Sequence, residues 1–182
     1  MKKIKLLGLF VLSAFVSTNS IAQIKMVGGA AMYPTKNIVE NAVNSKDHTT
    51  LVTAVKAAGL VSTLESKGPF TVFAPTNEAF DALPAGTVAT LLKPENKAKL
   101  TSILTYHVVP GKLSSMDLMK MVKAHHGKAS LKTVEGENIY LSRKGKNLIV
   151  TDENGGMAMI TIADVNQSNG VIHVINKVLL PK

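Results

Sequence analysis

The 182 residues carry 21 Lys plus Arg against 12 Asp plus Glu, a formal charge of +9, and no cysteine. The missing cysteine excludes disulfides, thiolate metal sites, a Cys nucleophile and a lipid anchor on Cys. Trp is absent and Arg143 is the only arginine, which argues against nucleic acid, because base and phosphate readers favour the guanidinium fork and single-strand platforms favour clustered aromatics.

Lys2, Lys3 and Lys5 open the chain, Leu6 to Val16 is mostly apolar but short for a bilayer span, and Ser20-Ile21-Ala22 offers the small residues read by a signal peptidase. Residues 1–22 are therefore predicted to be a secretory leader, leaving 160 residues with 18 basic and 12 acidic side chains, or +6. That length suits one domain with its own core. No second run of membrane length follows, so the predicted destination is the periplasm or the medium, without stable membrane insertion. The short, lysine-bearing leader points to a bacterial source.

Residues 23–33, with Gly28-Gly29 and little amphipathic pattern, read as a flexible lead-in to a single domain over 34–182. Thr35 is a candidate cap for a helix carrying Ile38, Val39, Ala42 and Val43 on one face. A second helix carries Leu51, Val52 and Val55 and should end at Gly59 in a left-handed conformation. Leu60, Val61 and Leu64 suggest one more helical turn. Phe70 to Ala74 is the first clear strand. Short helices over 78–83 and 87–92 and a longer one over 95–106 follow, and Ser114 and Asp117 have capping-box spacing ahead of Met119. From Ala129 onward, strand-length segments alternate with turn residues, Asn154-Gly155 and Asn169-Gly170 among them. Helices first and antiparallel strands second predict an α+β fold, not alternating βαβ.

The stretch TVFAPTNEAF, residues 71–80, bends sharply from strand to helix. A nucleophile elbow needs Gly-x-Ser-x-Gly, because small flanking residues let the strained turn form, and this corner has no glycine. Pro75 stops the strand, Thr76 or Asn77 caps the next helix, Glu78 and Asp81 sit near its positive end, and Phe80 turns inward with Phe73. Every residue then has a structural job.

TVFAPTNEAF also resembles the first signature of the fasciclin (FAS1) domain. LTYHVVPG at 104–111 is similar to that family's central Tyr-His motif, and NGVIHVINKVLLP at 169–181 to its C-terminal signature. The resemblance spans about residues 32–182. One departure is Asn176, where the family usually has Asp, so an ionic role there gives way to an amide hydrogen bond. The resemblance implies a wedge-like sandwich of two sheets with helices packed on one side, and an extracellular adhesion or matrix-interaction role. It places the candidate partner-binding position at Tyr106, His107, Val108 and Val109.

No residue set suggests catalysis, a cofactor or a metal. His125-His126 is a bare pair whose adjacent side chains diverge, and His107 and His173 lie in apolar runs, as core histidines holding backbone groups do. The acidic residues fall mainly at helix starts and turns, and no phosphate-cradling glycine motif occurs. The leading expectation is an exported, non-enzymatic module that binds a cell-surface or matrix protein or polysaccharide, with the Lys surplus favouring an anionic one. The alternative, motivated by Met116, Met119, Met121, Met157 and Met159, is a carrier of an apolar small molecule such as a lipid or carotenoid.

Overall fold

A computed structural model describes residues 24–182, and the leader predicted over 1–22 lies outside the described residues. At the start of the described chain, Gly28 and Gly29 take φ of 56° and 76°. Two consecutive left-handed residues make the tight turn that matches strand twist. Strands β1 (Lys25–Val27) and β2 (Ala30–Met32) therefore pair antiparallel, with Val27 opposite Ala30. Val27 and Met32 are buried. The segment predicted as a lead-in is thus a docked hairpin: its strands are too short to show alternation, but the glycine pair carries the turn.

Helix α1 (Ile38–Ala42) starts two residues later than predicted. Asn37, not Thr35, is its cap, and Asn37 and Glu40 form a reciprocal capping box. Helix α2 (Thr49–Ala58) ends as predicted at Gly59, φ 73°, and α3 (Val61–Glu65) supplies the extra turn. Strand β3 (Phe70–Pro75) runs into α4 (Asn77–Asp81), followed by α5 (Thr87–Leu91) and α6 (Lys97–Tyr106). Strand β4 (Val108–Pro110) leads to α7 (Ser115–Ala124), whose Ser114–Asp117 capping box is present. The remaining strands are β5 (Lys128–Lys132), β6 (Asn138–Lys144), β7 (Asn147–Thr151), β8 (Met157–Gln167) and β9 (Gly170–Ile175).

Seven strands form one sheet in the order β4-β3-β9-β8-β7-β6-β5. All its pairs are antiparallel except β3 with β9, which run parallel from Phe70 opposite Gly170 to Pro75 opposite Ile175. Strand β8 is 11 residues long and bends: its pairing with β9 shifts register on either side of Ile162, and Asp164 takes φ 56°. Irregularities of this kind sharpen local twist and bend a strand. The predicted two-sheet wedge is realised as two halves of one folded sheet sharing β8, beside the small β1–β2 sheet. Between the two far edges, Val134 N donates to the Val108 carbonyl at 2.8 Å.

Three apolar clusters result. The largest, with Phe73, Tyr106, Leu118, Ile139, Leu141 and Ile175, includes side chains from both halves and from α7. A second joins the hairpin and α1 to β3 and β9. A third lies between α2 and α6. Full burial of a Leu or Ile contributes roughly 1.5–3 kcal/mol, so the first cluster contributes most to holding the halves together.

Candidate functional site

The 71–80 corner performs the capping read from its sequence. Thr76 is the N-cap of α4 and accepts from Ala79 N through its side chain. Asn77 reaches further: its Oδ1 accepts from Thr50 N at 3.0 Å, and its Nδ2 donates to the Lys46 carbonyl at 2.8 Å. Phe73 and Phe80 are both buried.

At the end of α6, Tyr106 is fully buried. Its hydroxyl donates to the Asn138 carbonyl at 2.8 Å and accepts from Glu153 N at 3.1 Å. Burial, joined by the charges of Asp152, Glu153 and Glu137, pushes its pKa up to about 12 against the opposing Glu153 N–H. His107 is also buried. Its Nε2 accepts from Leu179 N at 3.0 Å, so Nδ1 carries the proton and donates to the Ile103 carbonyl at 2.8 Å. Burial pulls its pKa down to about 4, with Ile103 and Asp152 opposing. Val108 and Val109 are buried in β4. None of the four predicted contact residues offers its side chain to a partner. Tyr106 and His107 brace what lies above them.

What lies above is an open groove of about 750 Å³ between α5, α6 and residues 180–182. Leu83, Thr87, Asn96, Lys99, Ser102 and Leu180 line it. Its far wall is tied to the motif bond by bond. His107 holds Leu179, Asp152 Oδ2 accepts from Leu180 N at 3.1 Å, and Asn154 Nδ2 donates to the Leu180 carbonyl at 2.9 Å. Asp152 Oδ1 also accepts from Asn154 N and Gly156 N, which shapes that turn. Glu137 Oε2 accepts from Lys182 N at 2.9 Å. Sequence reasoning missed Asp152, Asn154 and the 179–182 segment. The Asp-x-Asn-Gly-Gly run signalled a side-chain-stabilised turn, but nothing local showed that it faces the chain's last residues.

The other signature side chains are bonded to main chain as well. His173 Nδ1 accepts from Asp164 N, and Nε2 donates to the Leu113 carbonyl at 2.9 Å, as predicted for a core histidine. Burial lowers its pKa. Asp164 accepts from Ser115 N and Oγ; burial works to raise its pKa, but these bonds, with His173 and Lys25 nearby, hold it below the usual carboxylate value. Asn169 Oδ1 accepts from Ile38 N, and its Nδ2 donates to the Leu64 and Ser66 carbonyls, fastening α1 and α3 to the β8–β9 turn. Asn176 Oδ1 accepts from Met159 N at 2.8 Å, the amide bond expected there. Among the described residues, no three His, Asp or Glu side chains converge as metal ligands, and no helix is long and apolar enough to cross a membrane.

The methionines do not meet in one groove. Met119 and Met121 pack against the largest core cluster, whereas Met116 and Met157 are exposed. An apolar cavity exists elsewhere, between α1–α3 and the β3–β9 face, with a volume of about 90 Å³. Val27, Ile38, Leu51, Val72 and Val174 line it beside His48. His48 Nδ1 bonds Ser45 Oγ at 2.9 Å, and its buried Nε2 lacks a partner. Burial lowers the His48 pKa. The Ala74 backbone works the other way, as does Asp47.

These features define an α+β domain with the FAS1 fold. A FAS1 domain pair from the insect cell adhesion molecule fasciclin I superimposes with a TM-score of 0.71 at 19% identity, over 80% of this chain and 51% of that one. The Fasciclin domain family model matches residues 46–181, and the chain belongs to that family. It is 47% identical to protein sll1483 of Synechocystis sp. over 156 residues, 86% of this chain and 79% of that protein. It is 36% identical to immunogenic protein MPB70 of Mycobacterium bovis, over 77% of this chain and 66% of MPB70. It is 40% identical to transforming growth factor-beta-induced protein ig-h3 of Sus scrofa over 131 residues, 72% of this chain but 17% of ig-h3.

Proposed function

We propose that this chain is an exported, non-enzymatic interaction module that takes a segment of a cell-surface or matrix partner, protein or polysaccharide, into the groove between α5, α6 and residues 180–182. The observation that carries this reading is the groove's far wall, pinned by the buried Tyr-His motif and Asp152. A pre-set wall reduces the ordering cost of binding. The lining mixes apolar Leu83 and Leu180 with Asn96, Lys99 and Ser102, which suits an extended polymer more than a small reactant. Kinship with ig-h3 and likeness to an adhesion molecule support the role. Tyr106 and His107 serve it as braces, and Val108 and Val109 as core.

The test is binding of the protein to isolated envelope material from its host. Ser102→Trp and Leu180→Glu, which fill or charge the groove, should each weaken binding about tenfold, while Met26→Ala on the distant hairpin should not. Full binding by folded groove variants would sink the assignment.

The apolar cavity favours a second reading, a carrier of a small apolar molecule. At about 90 Å³ it is smaller than the roughly 150 Å³ cavity that admits benzene. It therefore suits a few carbon atoms, and a lipid or carotenoid would require the hairpin or α1–α3 to move. Mass spectrometry of protein from its native host should then show a retained ligand, and ligand-free protein would count against it.

A further inference from the structure

The strands β5, β6 and β7 are electrically polarised along their length. Lys128 pairs opposite Ser142, and beyond Ser142 the β6–β7 hairpin turns through Arg143, Lys144, Gly145 and Lys146. Helix α7 packs on β5 and β6 and delivers Lys123, His125 and His126 to the same end, directly before Lys128. All of these side chains are exposed. No acidic residue occurs between Leu118 and Val134 or between Asn138 and Thr151. The carboxylates lie at the far ends. Glu135 and Glu137 occupy the β5–β6 turn, and Asp152 and Glu153 follow β7. Asp117 and Asp164 flank the start of α7. A 10-residue helix separates the two groups by about 15 Å, more than a Debye length of ~8 Å at physiological salt. Among the described residues the only ion pair is Lys182 with Glu153, at that acidic end. The five cations of the basic end are therefore free of ion pairs.

We infer that this end is a second binding site, for an anionic polysaccharide carrying carboxylate or sulfate groups. It extends the interaction-module reading, on which it rests, by naming a partner chemistry. Two observations select polysaccharide over other polyanions. The exposed large apolar side chains are Ile24, Met26, Tyr33, Val43, Met116, Val134, Met157 and Leu180, and none belongs to the basic end. A membrane-seated patch carries apolar or aromatic anchors among its cations. The one aromatic nearby, Tyr140, has Lys128 Nζ 4.5 Å from its ring centroid, which occupies the face a nucleobase would stack on. Pole binding would also orient the domain, holding the acidic end and the adjoining groove away from the polymer.

The experiment measures the full protein on immobilised alginate, dextran sulfate and neutral dextran, on phosphatidylglycerol vesicles, and on host envelope. The triple variant Lys123→Gln/Lys144→Gln/Lys146→Gln is compared with Lys36→Gln/Lys93→Gln/Lys97→Gln, which removes the same charge elsewhere, with folding checked by circular dichroism. The pole variant should lose about tenfold in affinity for alginate or dextran sulfate and show a shallower salt dependence, the control less than about threefold. Neutral dextran should bind neither. Equal losses in the two triples would reduce the effect to net charge and overturn the site. So would no loss, or pole-dependent binding to vesicles stronger than to alginate. Wild type that binds no envelope would overturn the interaction-module reading, whereas envelope binding unchanged in the pole variant would remove this site alone.

Discussion

Protonating His107 should unlock the groove's far wall, and the cost can be worked out. In the fold, burial holds its pKa at about 4 against an ordinary 6.5. Below pH 6.5 the unfolded chain takes up a proton there that the folded chain refuses, so stability falls as pH drops, and the fall levels off below about pH 4. At ~1.4 kcal/mol per pH unit, the interval amounts to about 3 kcal/mol. His173 and His48, both lowered by burial, act in the same direction. Urea unfolding followed by circular dichroism across this window checks the size. His107→Gln is the comparator, because its amide can still accept from Leu179 N and donate to Ile103 O without titrating. Its stability curve should be flatter by about 3 kcal/mol over the interval. Parallel curves for wild type and His107→Gln would refute the buried neutral imidazole and its role as a brace.

Tyr106→Phe strips the hydroxyl from between the Asn138 carbonyl and Glu153 N and should cost about 1–3 kcal/mol in urea unfolding. Gly170→Ala places a Cβ 2.1 Å from the Phe70 carbonyl oxygen; it should force β3 and β9 apart and lower stability by more than about 3 kcal/mol, whereas Gly86→Ala, with open space around it and φ 81°, should cost only about 1 kcal/mol. Asn169→Ala breaks three bonds to α1 and α3 and should speed amide exchange in both helices in addition to costing about 2–4 kcal/mol. Asn176→Asp keeps the acceptor for Met159 N at an exposed position and should shift stability by less than about 0.5 kcal/mol.

Local chemistry was legible where it closes on itself. The Ser114–Asp117 box, the Gly59 stop and the Thr76 cap each join residues within a few positions, and all three formed. The class of fold followed from the shift between helical and strand grammar, and the core histidines from their apolar flanks. Long-range pairing was not legible. The parallel β3–β9 ladder joins residues about a hundred positions apart, and no periodicity encodes the partner of a strand. Asn77 reads locally as a cap but spends its amide on Lys46 and Thr50. The groove is harder still, because its walls come from residues 83–103, Asn154 and 180–182. In the Tyr-His motif the apolar flanks oriented His107 inward, but only the fold shows that Tyr106 is buried beside it.

Strand β9 comes last in order among the described strands, yet it sits in the sheet between β3 and β8, and the residues just after it supply the partner of His107. Until β9 docks, the central seam of the sheet stays open. The β5–β8 meander pairs neighbours in sequence and can form first, but joining it to β3 waits for the β3–β9 ladder, whose contacts of large sequence separation form slowly. Closing that seam is therefore the slow step that the topology imposes on the whole domain.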